Sequence, residues 1–139
     1  MRGAAHPGAM LTHDPRDNER VKTEIMAKLG SLADVDVFHN RILVATFVRP
    51  ERTASGLYLS DQTKKEDEYQ GTVGVVVKKG PGAFVDAGSV EFFGKNVEVG
   101  DWVVYSLHSG RGLAMNGVHC RIIEDAHVDM VIPQPDMVF

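Results

Sequence analysis

A single cysteine, a single tryptophan and the want of any long apolar run set the first limits on this 139-residue chain. With Cys120 alone, neither an internal disulfide nor a cysteine-based zinc site can form, and a reducing, cytoplasmic setting is expected. No apolar stretch approaches the about 18 residues that a transmembrane helix requires, so no membrane contact is expected. The opening MRGAAHPGAM has one Arg and no apolar core, and does not read as a secretory signal. A formal net charge of -4 without any basic run argues against nucleic acid as a ligand.

Catalytic patterns are lacking too. The six histidines, His6, His13, His39, His108, His119 and His127, show no metal-ligand spacing, and neither a metal nor a cofactor is expected. Gly80-Pro-Gly82 and Ser109-Gly-Arg-Gly112 are followed neither by Lys-Ser/Thr nor by a helix, so they read as turns rather than phosphate cradles. Ser109 beside His108 has no third partner in sequence and no nucleophile-elbow context. The chain reads as a non-enzyme.

What is present divides into three parts: an extension over 1–34, a β domain over 35–132 and a tail over 133–139. Residues 1–13 are small and polar and read as lacking stable structure. A helix is expected over about 15–29, with Asp14 as N-cap, Pro15 in the first helical position and Gly30 just past the end. Its apolar residues Val21, Ile25, Met26 and Leu29 make one narrow stripe, which needs either its own barrel or a neighbouring subunit to lie on. Removal of residues 1–33 is expected to leave a folded barrel that assembles less well. From Val35 onward the period is that of strands, placed at 41–47, 71–78, 101–106, 112–115, 118–123 and 128–132. A hairpin is expected between them, Phe84–Asp86 against Val90–Phe93, turning at Ala87-Gly88.

Between the first two strands runs the most informative stretch, RPERTASGLYLSDQTKKEDEY, in which Leu57, Tyr58 and Leu59 stand alone among polar residues. Connections longer than about 12–15 residues are uncommon in compact domains unless functional or disordered. Two readings fit: a short adhesive segment on a flexible tether, or a short strand folded back on the barrel.

The order of motifs is specific. Phe38-His-Asn-Arg-Ile-Leu-Val44, then Ser55-Gly56-Leu57-Tyr58-Leu59, Gly80-Pro81-Gly82, Val97-Glu-Val-Gly-Asp101 and the ending Ile122 to Ile132 follow one another. In that order and near that spacing they resemble the GroES family of co-chaperonins, whose members read L-x-D-R-V-L-V, G-G-I-V-L and V-K-V-G-D-x-V-L-F-S at the corresponding places. The likeness spans about Val37 to Ile132. Asn40 and His108 stand where Asp and an aromatic residue are common in the family, and the helical extension and the tail exceed its usual length. These departures imply a divergent member and point to a viral source such as a bacteriophage. Zinc alcohol dehydrogenases use a similar barrel, but this chain has neither their cysteine ligands nor room for a nucleotide-binding domain.

The resemblance implies an all-β, irregular antiparallel β-barrel with a long flexible loop and a roof hairpin, plus the short N-terminal helix. It implies a co-chaperonin: a homo-oligomeric, seven-membered ring that caps an ATP-driven GroEL-type chaperonin and encloses a non-native protein substrate. Gly56, Leu57, Tyr58 and Leu59 would be the chaperonin-binding loop. Phe84, Val85, Asp86, Glu91, Phe92 and Phe93 would form the roof. The family joins the first strand of one barrel to the last strand of the next, which here implies an interface of Arg41, Ile42, Leu43 and Val44 with Val128, Met130 and Ile132. The alternative is an oligomeric structural or adaptor protein of a virus particle built on the same barrel.

Overall fold

The computed structural model of the protein describes residues 15–48, 72–86 and 91–138. It holds one α-helix, α1 (Pro15–Leu29), and six strands: β1 (Arg41–Thr46), β2 (Val73–Lys79), β3 (Trp102–Tyr105), β4 (Arg111–Met115), β5 (Val118–Glu124) and β6 (Val128–Ile132). One-turn 3-10 helices follow β5 at Asp125–His127 and close the described chain at Pro135–Val138. The strands form one antiparallel sheet in the order β4-β5-β1-β2-β3-β6. This is the expected all-β, barrel-type fold of the GroES kind, with one short helix.

The central strands are continuous apolar runs because both of their faces are covered. In β1 only Arg41 is exposed. Leu43 and Ala45 join Val73, Val75 and Val77 in one core cluster, whereas Ile42 and Val44 join Val76 in a second. Phe47, just beyond β1, is fully buried and packs edge-on against Trp102 with ring centroids 5.4 Å apart. The outer strands β4 and β6 are mostly exposed.

Local chemistry sets the connections. Asn116 and Gly117 join β4 to β5 with positive φ at both positions, the conformation that Asn-Gly adopts readily in two-residue hairpins. Gly80 lies against the start of β1, its N–H donating to the Arg41 carbonyl at 2.8 Å, and a Cβ there would run into the His39 carbonyl.

The helical stripe lies on its own barrel. Val21, Ile25 and Met26 pack against the first core cluster, and Leu29, 1% exposed, belongs to it. Lys22 places its ammonium 5.7 Å from the centroid of the Trp102 ring. Of the two resting places open to the stripe in the sequence reading, the structure occupies the first.

Candidate assembly and docking surfaces

The connection expected to carry Gly56, Leu57, Tyr58 and Leu59 lies outside the described residues. Its roots are described. The Phe47 N–H donates to the Val73 carbonyl at 2.8 Å, and Thr46 pairs with Gly74 across the β1–β2 ladder. Both ends of the connection therefore spring from neighbouring positions on a rigid part of the sheet.

The hairpin region departs from the expected ladder. Phe84–Asp86 and 91–93 carry no strand, and what ties them is a side chain: Asp86 Oδ1 accepts the Phe92 N–H at 2.6 Å. The Phe84 and Phe92 rings meet at 5.3 Å in a T-shaped pair. Phe93 is 81% exposed and Val85 56%, so Phe93 is no part of the core, and Asp86 and Glu91 are exposed as well. Phe84 and Phe93 both hold positive φ, a conformation that costs a bulky residue about 1–3 kcal/mol and needs outside support. For Phe84 the support is visible. The carboxylate of Asp125, only 3% exposed, accepts the Phe84 N–H and the Asn40 side-chain amide, each at 2.9 Å. The residue that stands at 40 in place of the family's common Asp is thus satisfied by an acid that directly follows β5, the strand paired with β1.

The strand expected at the interface is internal to the sheet of the single chain. β1 lies between β5 and β2 with both of its edges hydrogen-bonded, and Ile42, Leu43 and Val44 are buried in their own core. Arg41–Val44 therefore has no edge to offer a neighbouring copy. Among the described residues the outer edges belong to β4 and β6. On β6, Met130 is exposed, Val128 is half-buried, and Ile132 is in the core. Val131, which the sequence reading passed over, is as exposed as Met130. The signal was in the sequence: four apolar residues running on from Arg41 without a polar alternate mark a strand covered on both faces, whereas Asp129 breaks the run of an edge strand. At the β4 side a groove of about 650 Å³ opens, in which Arg41 and Leu43 of β1, Asp36 and Arg111 stand beside the apolar Val35, Val37, Phe38, Leu113, Met115 and Ile122. Phe38 is 64% exposed there.

Residues 34–132 match the family described as Chaperonin 10 Kd subunit. The chain is 31% identical over 96 residues to co-chaperonin GroES 2 of Mesorhizobium japonicum, covering 69% of this chain and 86% of that protein. It is 29% identical over 94 residues to co-chaperonin GroES of Nitratidesulfovibrio vulgaris (68% and 93%), and 30% identical over 93 residues to that of Chloroherpeton thalassium (67% and 92%). The chain belongs to the chaperonin 10 kDa family.

As a chaperonin 10 protein it has a co-chaperonin role and is not an enzyme. Its core also holds two buried titratable groups. Burial raises the Cys120 thiol to about 11 and the Tyr105 hydroxyl to about 12, the latter partly offset by Thr46, so both are neutral at ordinary pH. The unfolded chain would ionise these groups from their ordinary values of 9.0 and 10.0, so their contribution to stability is complete below pH 9 and is lost as pH rises toward 12. Thermal melts should therefore show a plateau from neutral pH to about pH 9 and a steep fall above it, with Cys120→Ala flattening the first part of the fall. Among the described residues no helix is long and apolar enough to cross a membrane, and no group of three or more His, Cys, Asp or Glu is arranged to hold a metal. α1 and the last turn, Pro135–Val138, both fall outside the matched range of the chaperonin 10 family.

Proposed function

We propose that the chain forms a ring-shaped lid, seven copies in number, that closes the cavity of a GroEL-type, ATP-driven chaperonin over a non-native protein and leaves when nucleotide turnover changes the chaperonin. The observation that carries this reading is the pair of unlike outer edges on one sheet. Among the described residues β6 has one edge without a partner strand, with Met130 and Val131 exposed, and the β4 side offers a largely apolar groove. Unlike surfaces at the two ends of one sheet can join head to tail, and such contacts close into rings when the rotation allows. The neighbour's β6 would lie along the groove, and the exposed Val85 and Phe93 would meet their copies across the ring axis through apolar contacts. The lid would work in a reducing cytoplasm.

Capture of the chaperonin falls to Gly56, Leu57, Tyr58 and Leu59. Burying the three large side chains in an apolar groove is worth about 1.5–3 kcal/mol each, roughly 5–9 together. Ordering the connection costs about 2–5 kcal/mol. One copy alone therefore binds in the roughly millimolar to micromolar range. A ring turns every later contact into an intramolecular one and raises avidity by about two to four orders of magnitude. Weak single contacts and strong collective ones suit a lid that must also leave.

The test is co-migration in gel filtration with a GroEL-type chaperonin and ATP, together with the native mass of the chain alone. Met130→Asp should shift that mass toward the monomer while costing the monomer's own stability no more than about 0.5 kcal/mol, because Met130 is already exposed in the single chain. A wild-type chain that is monomeric throughout and never co-migrates refutes the ring lid.

A further inference from the structure

We propose that α1 and residues 133–138 form a strap that fixes where the free edge of β6 stands relative to the β4–β5 hairpin. Two anchors define it. At the C-terminal end of α1 the Leu29 carbonyl accepts the side-chain amide of Asn116, 2.9 Å away in the β4–β5 turn. At the other end Asn18, 0% exposed, donates to Gln134 Oε1 at 2.6 Å and to Asp136 Oδ1 at 3.3 Å, just beyond β6. Between them Lys22 lies over Trp102 of β3. The helix thus runs from one outer hairpin of the sheet to the end of the opposite outer strand, a span of about 17 Å from Asn18 to Leu29.

The sheet itself leaves that span free. β4 and β6 stand at its two ends, with no ladder between them. Among the described residues β6 pairs with β3 alone, through a short ladder whose register breaks between Val104 and Tyr105. A strand with one partner and an irregular ladder opens more readily than the doubly paired β1 and β2. A buried asparagine that grips the chain directly after such a strand restricts it at little cost in surface. Both halves of the strap lie outside the 34–132 range shared with the chaperonin 10 family, so it is an addition of this chain to the family barrel. Its purpose follows from the proposed ring, on which this part of the inference rests: where β6 and the groove beside β4 form the contact with the next copy, the strap sets the angle between copies.

Hydrogen exchange on the full chain tests the strap at a dilution where it is monomeric. In Asn18→Ala the amides of Val128–Ile132 should exchange about tenfold faster, while those of β1 and β2 keep their rates. Gln134→Ala, which leaves the helix whole, should act in the same direction and serves if the first variant folds poorly. Unchanged β6 amides in both variants, or equal acceleration in every strand, overturn the strap. Mass measurements at rising concentration then test the link to assembly: the Asn18→Ala ring should need several-fold more protein to form, and an unchanged assembly curve overturns the link. A wild-type chain that never assembles refutes the ring, and the exchange rates still decide the strap.

Discussion

Replacing Leu57 and Leu59 together by serine should abolish capture by a GroEL-type chaperonin and leave the mass of the chain's own assembly unchanged. The two leucines supply about 3–6 of the roughly 5–9 kcal/mol assigned to each loop. Ordering takes about 2–5 kcal/mol of that, so each altered loop keeps no surplus. Avidity then magnifies the loss, because a ring of contacts each near zero gains nothing from being linked. Inhibition of chaperonin ATPase and gel filtration with ATP are the measurements. A double variant that still inhibits the ATPase like wild type would remove Leu57 and Leu59 from the contact. Tyr58→Ser should weaken binding less, since the tyrosine can keep its hydroxyl in water. Assembly should survive because the roots of the loop, Phe47 and Val73, are core residues that neither substitution touches.

What could be read along the chain was whatever repeats locally. The β-branched runs at β1 and β2, the helical stripe from Val21 to Leu29 and the Asp14-Pro15 start each carry a period or a cap, and the elements stand close to where those signals put them. Phe47 shows how an end drifts: it leaves the strand, yet its N–H still bonds the Val73 carbonyl. The order of strands carries no local signal. The family resemblance implies an interface role for Arg41–Val44, yet within the single chain β5 returns to pair with it from the far end of the sequence. Long-range polar pairs were equally hidden. Asn40 with Asp125 and Asn18 with Gln134 join residues 85 and 116 positions apart through single side chains, which leave no pattern to recognise. The roof misled for a related reason: a hairpin ladder was expected there, but two carboxylates do the joining, Asp125 accepting the Phe84 N–H and Asp86 the Phe92 N–H.

Deleting residues 1–33 should cost the barrel its fold, not merely its assembly. In sequence the helix is an addition that the barrel can lose. Its packing reverses that expectation, because Leu29 is a member of the core and Val21, Ile25 and Met26 seal the same cluster of Leu43, Phe47, Val75 and Trp102. At about 1.5–3 kcal/mol for a fully buried side chain, and less for the three that are half-buried, the stripe contributes roughly 4–8 kcal/mol. A domain of this size has about 5–15 kcal/mol in all. The deletion also uncovers one face of a sheet whose strands are apolar on both, and such a face promotes association. The truncated chain should bind a hydrophobic dye, lose its cooperative thermal transition or melt at least about 15 °C lower, and aggregate. A milder variant separates loss of packing from loss of chain: Ile25→Ser with Met26→Ser keeps the helix and the Asn18 grip while removing two apolar contacts, and should lower stability by about 2–4 kcal/mol in urea. If the deletion melts like the full chain, the helix only rests on the barrel, and the first core cluster closes without it.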